Sequence, residues 1–240
     1  VPFEPLLPSE RLRTDLLRFA DSHDFVALYK SYSWWADTWE NGFPEIFNLE
    51  TNMRGNIVTR DHVLSVVAWA RGRFNKEVIC PKTLTLPLYE KSLPDPAIEA
   101  RPLVPLTILE ANTKGLGPTR LSKVLRFALP AEFGALDSNI VRVVGLGDPI
   151  SKRQTWLSLR ACYSGSGWSI LKTKSAWPAE YSTWINILRF FAKLLNGSNT
   201  LCPHPEAFIA NHLRTPGHWE CADVEMALFR YASSELRICR

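Results

Sequence analysis

Apolar side chains recur with a period near 3.6 in about eight segments of the chain, a spacing that predicts amphipathic helices. The first opens at Ser9 as a cap and places Leu12, Leu16 and Leu17 on one side. A second runs from about Asp24 to Glu40, with Phe25, Leu28, Tyr32, Trp35 and Trp39 at helical spacing. In TRDHVLSVVAWARGRF, Thr59 caps a helix whose Val63, Val66, Val67 and Ala70 share a face. Trp69, Arg71 and Arg73 fall at its C-terminal end, where cations complement the helix dipole. Residues 78–92 alternate weakly around two prolines and read as a long loop or short edge strand. Helix resumes from Pro102 or Pro105 to Asn112. WPAEYSTWINILRFFAKLLNG predicts a long helix with Pro178 in the first turn, a stripe from Tyr181 through Trp184, Ile185, Leu188, Ala192 and Leu195, and Gly197 as the stop. ADVEMALFRYASSELR closes the chain as another amphipathic helix. The expected fold is mostly α with little strand.

Between two of these segments lies NTKGLGPTRLSKVLRF. Gly115 and Gly117 supply the permissive backbone of a very short turn between helices, and Pro118 suits a first helical turn, where no amide donor is missed. Leu121, Val124, Leu125 and Ala128 share the inward face of the second helix. Arg120, Ser122, Lys123 and Arg126 are expected largely elsewhere. Such a helix-hairpin-helix exposes backbone N–H groups at a helix N-terminus, where a phosphate can approach, with Lys114, Arg120 and Lys123 adding cationic reach. The same turn also serves as an ordinary helix connection. Twenty residues beyond Gly117, Asp137 opens the segment DSNIVRVVG, a position that suits a helix cap as well as a functional carboxylate.

Composition narrows the picture. With 240 residues, 46% of them hydrophobic and 22% charged, the chain reads as globular and not disordered. No apolar run approaches the roughly 18 residues that span a bilayer, and VPFEPLLPSERLR lacks the order of a signal peptide, so a cytoplasmic location and no membrane partner are expected. Cys80, Cys162, Cys202, Cys221 and Cys239 are widely spaced without a C-x-x-C, which suits reduced thiols. A net charge of +4 permits a nucleic-acid partner without requiring one. Nine tryptophans suggest a concave or stacking surface beside the core.

The stretch TKGLGPTRLSKVLRFALPAEFGALDSNIVRV resembles the helix-hairpin-helix DNA glycosylase superfamily, which includes endonuclease III, adenine glycosylase and the 8-oxoguanine glycosylases. Gly115, Gly117, Asp137 and Arg142 match its hairpin glycines, catalytic aspartate and following basic residue. IVTRDHVLSVVAWARGR and ADVEMALFRYA are similar to bacterial proteins of the 8-oxoguanine glycosylase fold. The resemblance implies a two-lobed helical unit, with residues 57–150 as the hairpin lobe and residues 1–56 with 151–240 as the second. It implies DNA as partner, duplex with a flipped base, held through Lys114, Gly115, Gly117, Thr119, Arg120, Lys123 and Arg142. No obligate protein partner is inferred. Trp34, Trp35, Trp69, Trp177 and Tyr181 are the residues expected to wall the base pocket.

The departures bear on mechanism. Bifunctional relatives carry a catalytic lysine where this chain has Thr119 or Ile108, so a hydrolase without lyase activity is expected, with Asp137 stabilising the sugar cation and orienting water. The clustered cysteines of iron–sulfur relatives are absent. Cys202, His204, His212, His218 and Cys221 offer zinc-ligand types at a spacing of no usual finger, so no metal or cofactor is expected. The excised base is open between oxidised guanine, an alkylated base and a modified base of phage DNA. Two further readings are a non-catalytic hairpin DNA binder in which Asp137 merely caps a helix, and a nucleotide loop in VVGLGDP, which lacks a third glycine.

Overall fold

The computed structural model of the chain describes residues 9–70, 77–146, 148–165, 167–173 and 175–238. About half of the chain is helical, in eleven helices among the described residues, and the strands are short antiparallel pairs. Arg71, Arg73 and Cys239 lie outside the described residues. No described helix is long and apolar enough to cross a membrane.

Local signals set the first elements. α1 (Glu10–Ser22) is capped by Ser9, whose hydroxyl accepts from the Leu12 amide, and α2 (Phe25–Lys30) by Asp24. The helix expected to reach Glu40 stops at Lys30. Beyond it the chain forms a tight antiparallel turn between β1 (Ser33–Trp34) and β2 (Asp37–Thr38). Asp37, fully buried, causes the change: its carboxylate accepts from the Glu45 and Ile46 amides at 2.8 and 3.1 Å, capping α3 (Pro44–Met53), and from the Trp69 indole at 2.7 Å. These tertiary bonds outweigh helical periodicity over four aromatic residues.

β3 (Ile57–Thr59) precedes α4 (Arg60–Ala70) and pairs with β4 (Thr83–Thr85), so the weakly alternating region, which also holds Tyr89–Glu90, contains two short strands as well as loop. β5 (Tyr89–Glu90) and β6 (Leu93–Pro94) form a two-residue ladder. α5 (Ala97–Ala100) and α6 (Leu103–Asn112) follow, then the glycine turn and α7 (Pro118–Ala128). α8 (Ser138–Val144), the hairpin β7 (Ala161–Ser164) and β8 (Gly167–Ile170), α9 (Ala179–Gly197), α10 (Glu206–Ala210) and α11 (Cys221–Ile238) complete the chain.

α7 is the central element. Every residue from Leu121 to Ala128 is buried, so Ser122, Lys123 and Arg126, expected away from the apolar face, are enclosed as well. Each has an assigned partner. Arg126 donates to Glu50 of α3 at 2.8 Å and lies 3.6 Å from Glu225 of α11. Glu50 also receives Arg214 at 2.6 Å, and Arg214 holds Asp223 at 3.0 Å. A buried charge network thus ties α3, α7 and α11 together, in line with the rule that enclosed charges are paired.

Candidate functional site around Asp137

The turn between α6 and α7 is built from backbone. Lys114 pairs with Ile79 through two amide–carbonyl bonds of 2.8 and 3.2 Å. Gly115 has φ +83°, and a Cβ there would stand 2.3 Å from the Glu77 carbonyl oxygen. Glycine is required on both counts. Gly117 differs: it caps α7 with φ −96°, and a Cβ would meet nothing within 4 Å. The Cβ side of Gly117 faces open space, with Lys114 exposed and Thr119 half-buried nearby. Arg120 is half-buried as well, and burial lowers its pKa while the Asp137 charge opposes that shift.

From Ala128 the chain returns to Asp137 through a segment held from three sides. Ser122 on α7 accepts the Leu136 amide at 2.9 Å. From α9, the Tyr181 hydroxyl donates to the Gly134 carbonyl at 3.1 Å and the Trp184 indole to that of Ala135 at 3.1 Å. A Cβ on Gly134 would come within 2.4 Å of Leu188, so the segment lies flat against α9. Asp137 therefore arrives at a fixed place.

Its two oxygens have separate partners. Oδ1 accepts the Asn139 amide at 2.8 Å and caps α8. Oδ2 lies 3.5 Å from Lys123 Nζ, and both residues are almost enclosed. The ammonium also sits 5.1 Å from the Trp34 ring and 4.9 Å from that of Trp69. Two indole faces and a carboxylate make this a site for a cation. Lys123, expected to reach outward to phosphate, points inward instead, because α7 is covered on all sides.

A cleft of about 450 Å³ is walled by Trp34 and Trp35 of the β1–β2 turn, Asn139 and Arg142 of α8, and Phe229, Arg230 and Ser233 of α11; Asp137 and Lys123 do not line it, but Asn139, whose amide Asp137 holds, and Trp34, whose ring meets Lys123, do. Of the aromatic residues expected at a pocket, Trp34 and Trp35 line it. Trp69 stands behind Lys123, its indole spent on Asp37. Trp177 and Tyr181 are buried elsewhere, Trp177 donating to Glu110 and Tyr181 fixing the approach to Asp137. The α11 residues carry no such signal: their spacing reads as packing, and nothing in ADVEMALFRYASSELR separates a cleft-facing arginine from a solvated one.

Arg142 is engaged within the chain. It donates to Asp148 at 2.7 Å and its guanidinium lies 4.1 Å from the Trp168 ring. Burial alone would raise the Asp148 carboxyl, but hydrogen bonds from Arg142 and Ser151 overcome it and hold the pKa below the usual range. Val143 and Val144 of the VVGLGDP stretch end helix α8 and not a strand, so the stretch lacks the setting of a nucleotide loop; its Gly147 lies outside the described residues.

For a metal, Cys202, His204 and Asp223 place one donor atom each within 4.8 Å of one another. Cys202 Sγ lies 3.6 Å from His204 Nδ1, and the His204 Nε2 atom lies 2.8 Å from the His218 carbonyl. Asp223 is already held by Arg214, and burial pushes the Cys202 thiol far up, so the group is a closed polar cluster. His212, His218 and Cys221 are not part of it. No protein-family model, curated protein or solved structure matches the chain.

Proposed function

We propose that the protein is a DNA glycosylase that hydrolyses the N-glycosidic bond of a damaged or modified base and leaves an abasic site. The observation that carries this reading is the Asp137 carboxylate, fixed at the start of α8 against Lys123 and bonded to the amide of Asn139, a residue that lines an aromatic-walled cleft. A base inside a duplex is out of reach, so the nucleotide must leave the stack and enter such a cleft. As the base departs, positive charge builds on the sugar. A carboxylate held in place beforehand stabilises that charge without reorganising. The C1′–N bond breaks as water, oriented by the same carboxylate, adds its oxygen to C1′; the carboxylate takes the proton that water loses, and that proton ends on the leaving nitrogen.

The finer architecture of this reading has two lobes, residues 57–150 and residues 1–56 with 151–240, meeting at the cleft. The cleft walls come from all three ranges, which supports that arrangement. Gly117, with open space before the N-terminus of α7, would take a phosphate, and exposed Lys114 would add charge. Lys123 is occupied as an ammonium between Asp137 and two indoles, which favours simple hydrolysis over amine attack. Oxidised guanine and a phage-modified base are both within this reading, the second making the enzyme an antiviral one acting in the cytosol.

A second reading has its own observation: both Asp137 oxygens are satisfied, one as a helix cap. On that reading the protein binds DNA through the hairpin and releases nothing. Mass spectrometry of bases freed from oxidised, alkylated, deaminated and phage-modified DNA, by wild type and Asp137→Asn, separates the two. Release of one base that the variant abolishes supports the glycosylase. Silence across the panel with salt-sensitive binding intact supports the binder, and borohydride trapping of a protein–DNA adduct would overturn simple hydrolysis.

A further inference from the structure

The cleft carries information about its occupant. Its 450 Å³ falls within the roughly 300–1,000 Å³ that encloses a drug-sized ligand, whereas a bare nucleobase is one flat ring or ring pair. The walls are of two kinds. Trp34 and Trp35 give indole surface, and Ser33, Asn139, Arg230 and Ser233 give hydroxyl, amide and guanidinium groups. Arg142, which also borders the cleft, has its charge matched by Asp148.

Trp35 is held in an unusual way. It is 62% exposed and adopts φ +56°, a left-handed conformation that is an outlier for a bulky side chain. The turn that imposes it is anchored by buried Asp37, which accepts three hydrogen bonds from α3 and Trp69. The two-residue turn between β1 and β2 itself calls for a positive φ, and it sets the Trp35 ring at the cleft's edge, edge-on to Trp34.

We propose that, on the glycosylase reading above, the cleft takes a base enlarged by an uncharged, hydroxyl-rich substituent of saccharide type, with Trp35 as the stacking platform. An indole face suits the C–H face of a sugar ring as it suits a base. Serine hydroxyls, Asn139 and Arg230 suit its hydroxyl groups, and the neutralised Arg142 argues against a phosphorylated substituent. An unmodified or oxidised base would leave much of the cleft to water and the polar groups without matched partners, a situation that discriminates strongly against the smaller ligand.

The test uses the full chain and matched duplexes containing cytosine, 5-hydroxymethylcytosine, glucosylated 5-hydroxymethylcytosine, 8-oxoguanine or an N-alkylated purine, with released bases read by mass spectrometry. The expected result is release of the glucosylated base at least about tenfold faster than any other, with Trp35→Ala losing about tenfold or more, the scale of one stacking contact. Ser233→Trp, which fills the cleft, should remove the preference. If that variant does not fold, the exposed Trp35→Ala decides. Faster release of a small damaged base would overturn this inference and leave the glycosylase reading standing. Release from no duplex would overturn both.

Discussion

Lys123 Nζ and Asp137 Oδ2 stand 3.5 Å apart inside the protein, brought together by a helix and the segment that turns back along it. Neither group is stable there alone: a buried carboxylate or ammonium without its counter-charge is costly. Lys123→Met and Asp137→Asn are therefore expected to be non-additive, with a coupling of about 0.5–3 kcal/mol in denaturant unfolding of the two single variants and the double. A coupling of zero would mean that the pair is not energetically joined. On the glycosylase reading, Asp137→Asn also lowers base release by about 10²–10³-fold while the fold persists.

The two glycines of the turn predict opposite outcomes. Gly115→Ala places a methyl group against the Glu77 carbonyl in a left-handed backbone and should cost about 2–4 kcal/mol of stability. Gly117→Ala has free space and an ordinary φ, so stability should change by less than about 0.5 kcal/mol. If the open backbone at Gly117 receives phosphate, the same methyl group weakens DNA binding. Thermal unfolding and fluorescence anisotropy on a labelled duplex together separate the two roles.

Helix positions with strong local signals were legible in the sequence, and tertiary exceptions were not. Ser9, Asp24 and Pro118 mark helix starts through side-chain oxygen or ring geometry, and those starts stand where expected. The span from Ser31 to Glu40 carries helical spacing but yields to Asp37, whose three bonds involve residues up to 32 positions away. α7 shows the other limit. Its apolar stripe was visible, yet Lys123 and Arg126 turn inward to acids that arrive from α3, α11 and the Asp137 segment, partners no helical wheel displays. For the same reason Asp137 can be singled out from its spacing to the glycines, while the lysine that meets it is expected to reach a phosphate.

Arg214 is the most exacting member of the buried network. Its guanidinium serves Glu50 at 2.6 Å and Asp223 at 3.0 Å, and those acids raise its pKa well above the usual value against the opposing effect of burial. Arg214→Met leaves three enclosed carboxylates, Glu50, Asp223 and Glu220, short of charge and should destabilise the chain by about 3–5 kcal/mol. Adding Asp223→Asn removes one of those charges, so the double variant is expected to recover part of the loss. Urea denaturation with unchanged slope is the check, and a cost below about 1 kcal/mol would show that the network is solvated.

Glu225 makes stability depend on pH. Burial raises its pKa to about 7 from 4.5, while Arg126, Lys123 and the Ala135 amide lower it and Asp137 raises it further. An acid whose pKa is higher in the fold than in the unfolded chain binds its proton more tightly in the fold. Between about pH 4.5 and pH 7 the folded protein therefore carries the extra proton, and stability falls as pH rises through that window. The size is on the order of 3–4 kcal/mol, from about 1.4 kcal/mol per pKa unit. Glu225→Gln keeps the shape and stays neutral throughout, so its stability should be flatter over the same window and exceed that of the wild type at pH 8. Unfolding free energies at pH 5, 6, 7 and 8 for both proteins give the comparison. Parallel curves would mean that Glu225 ionises in the fold at the ordinary carboxylate pH, held charged by Arg126 and Lys123.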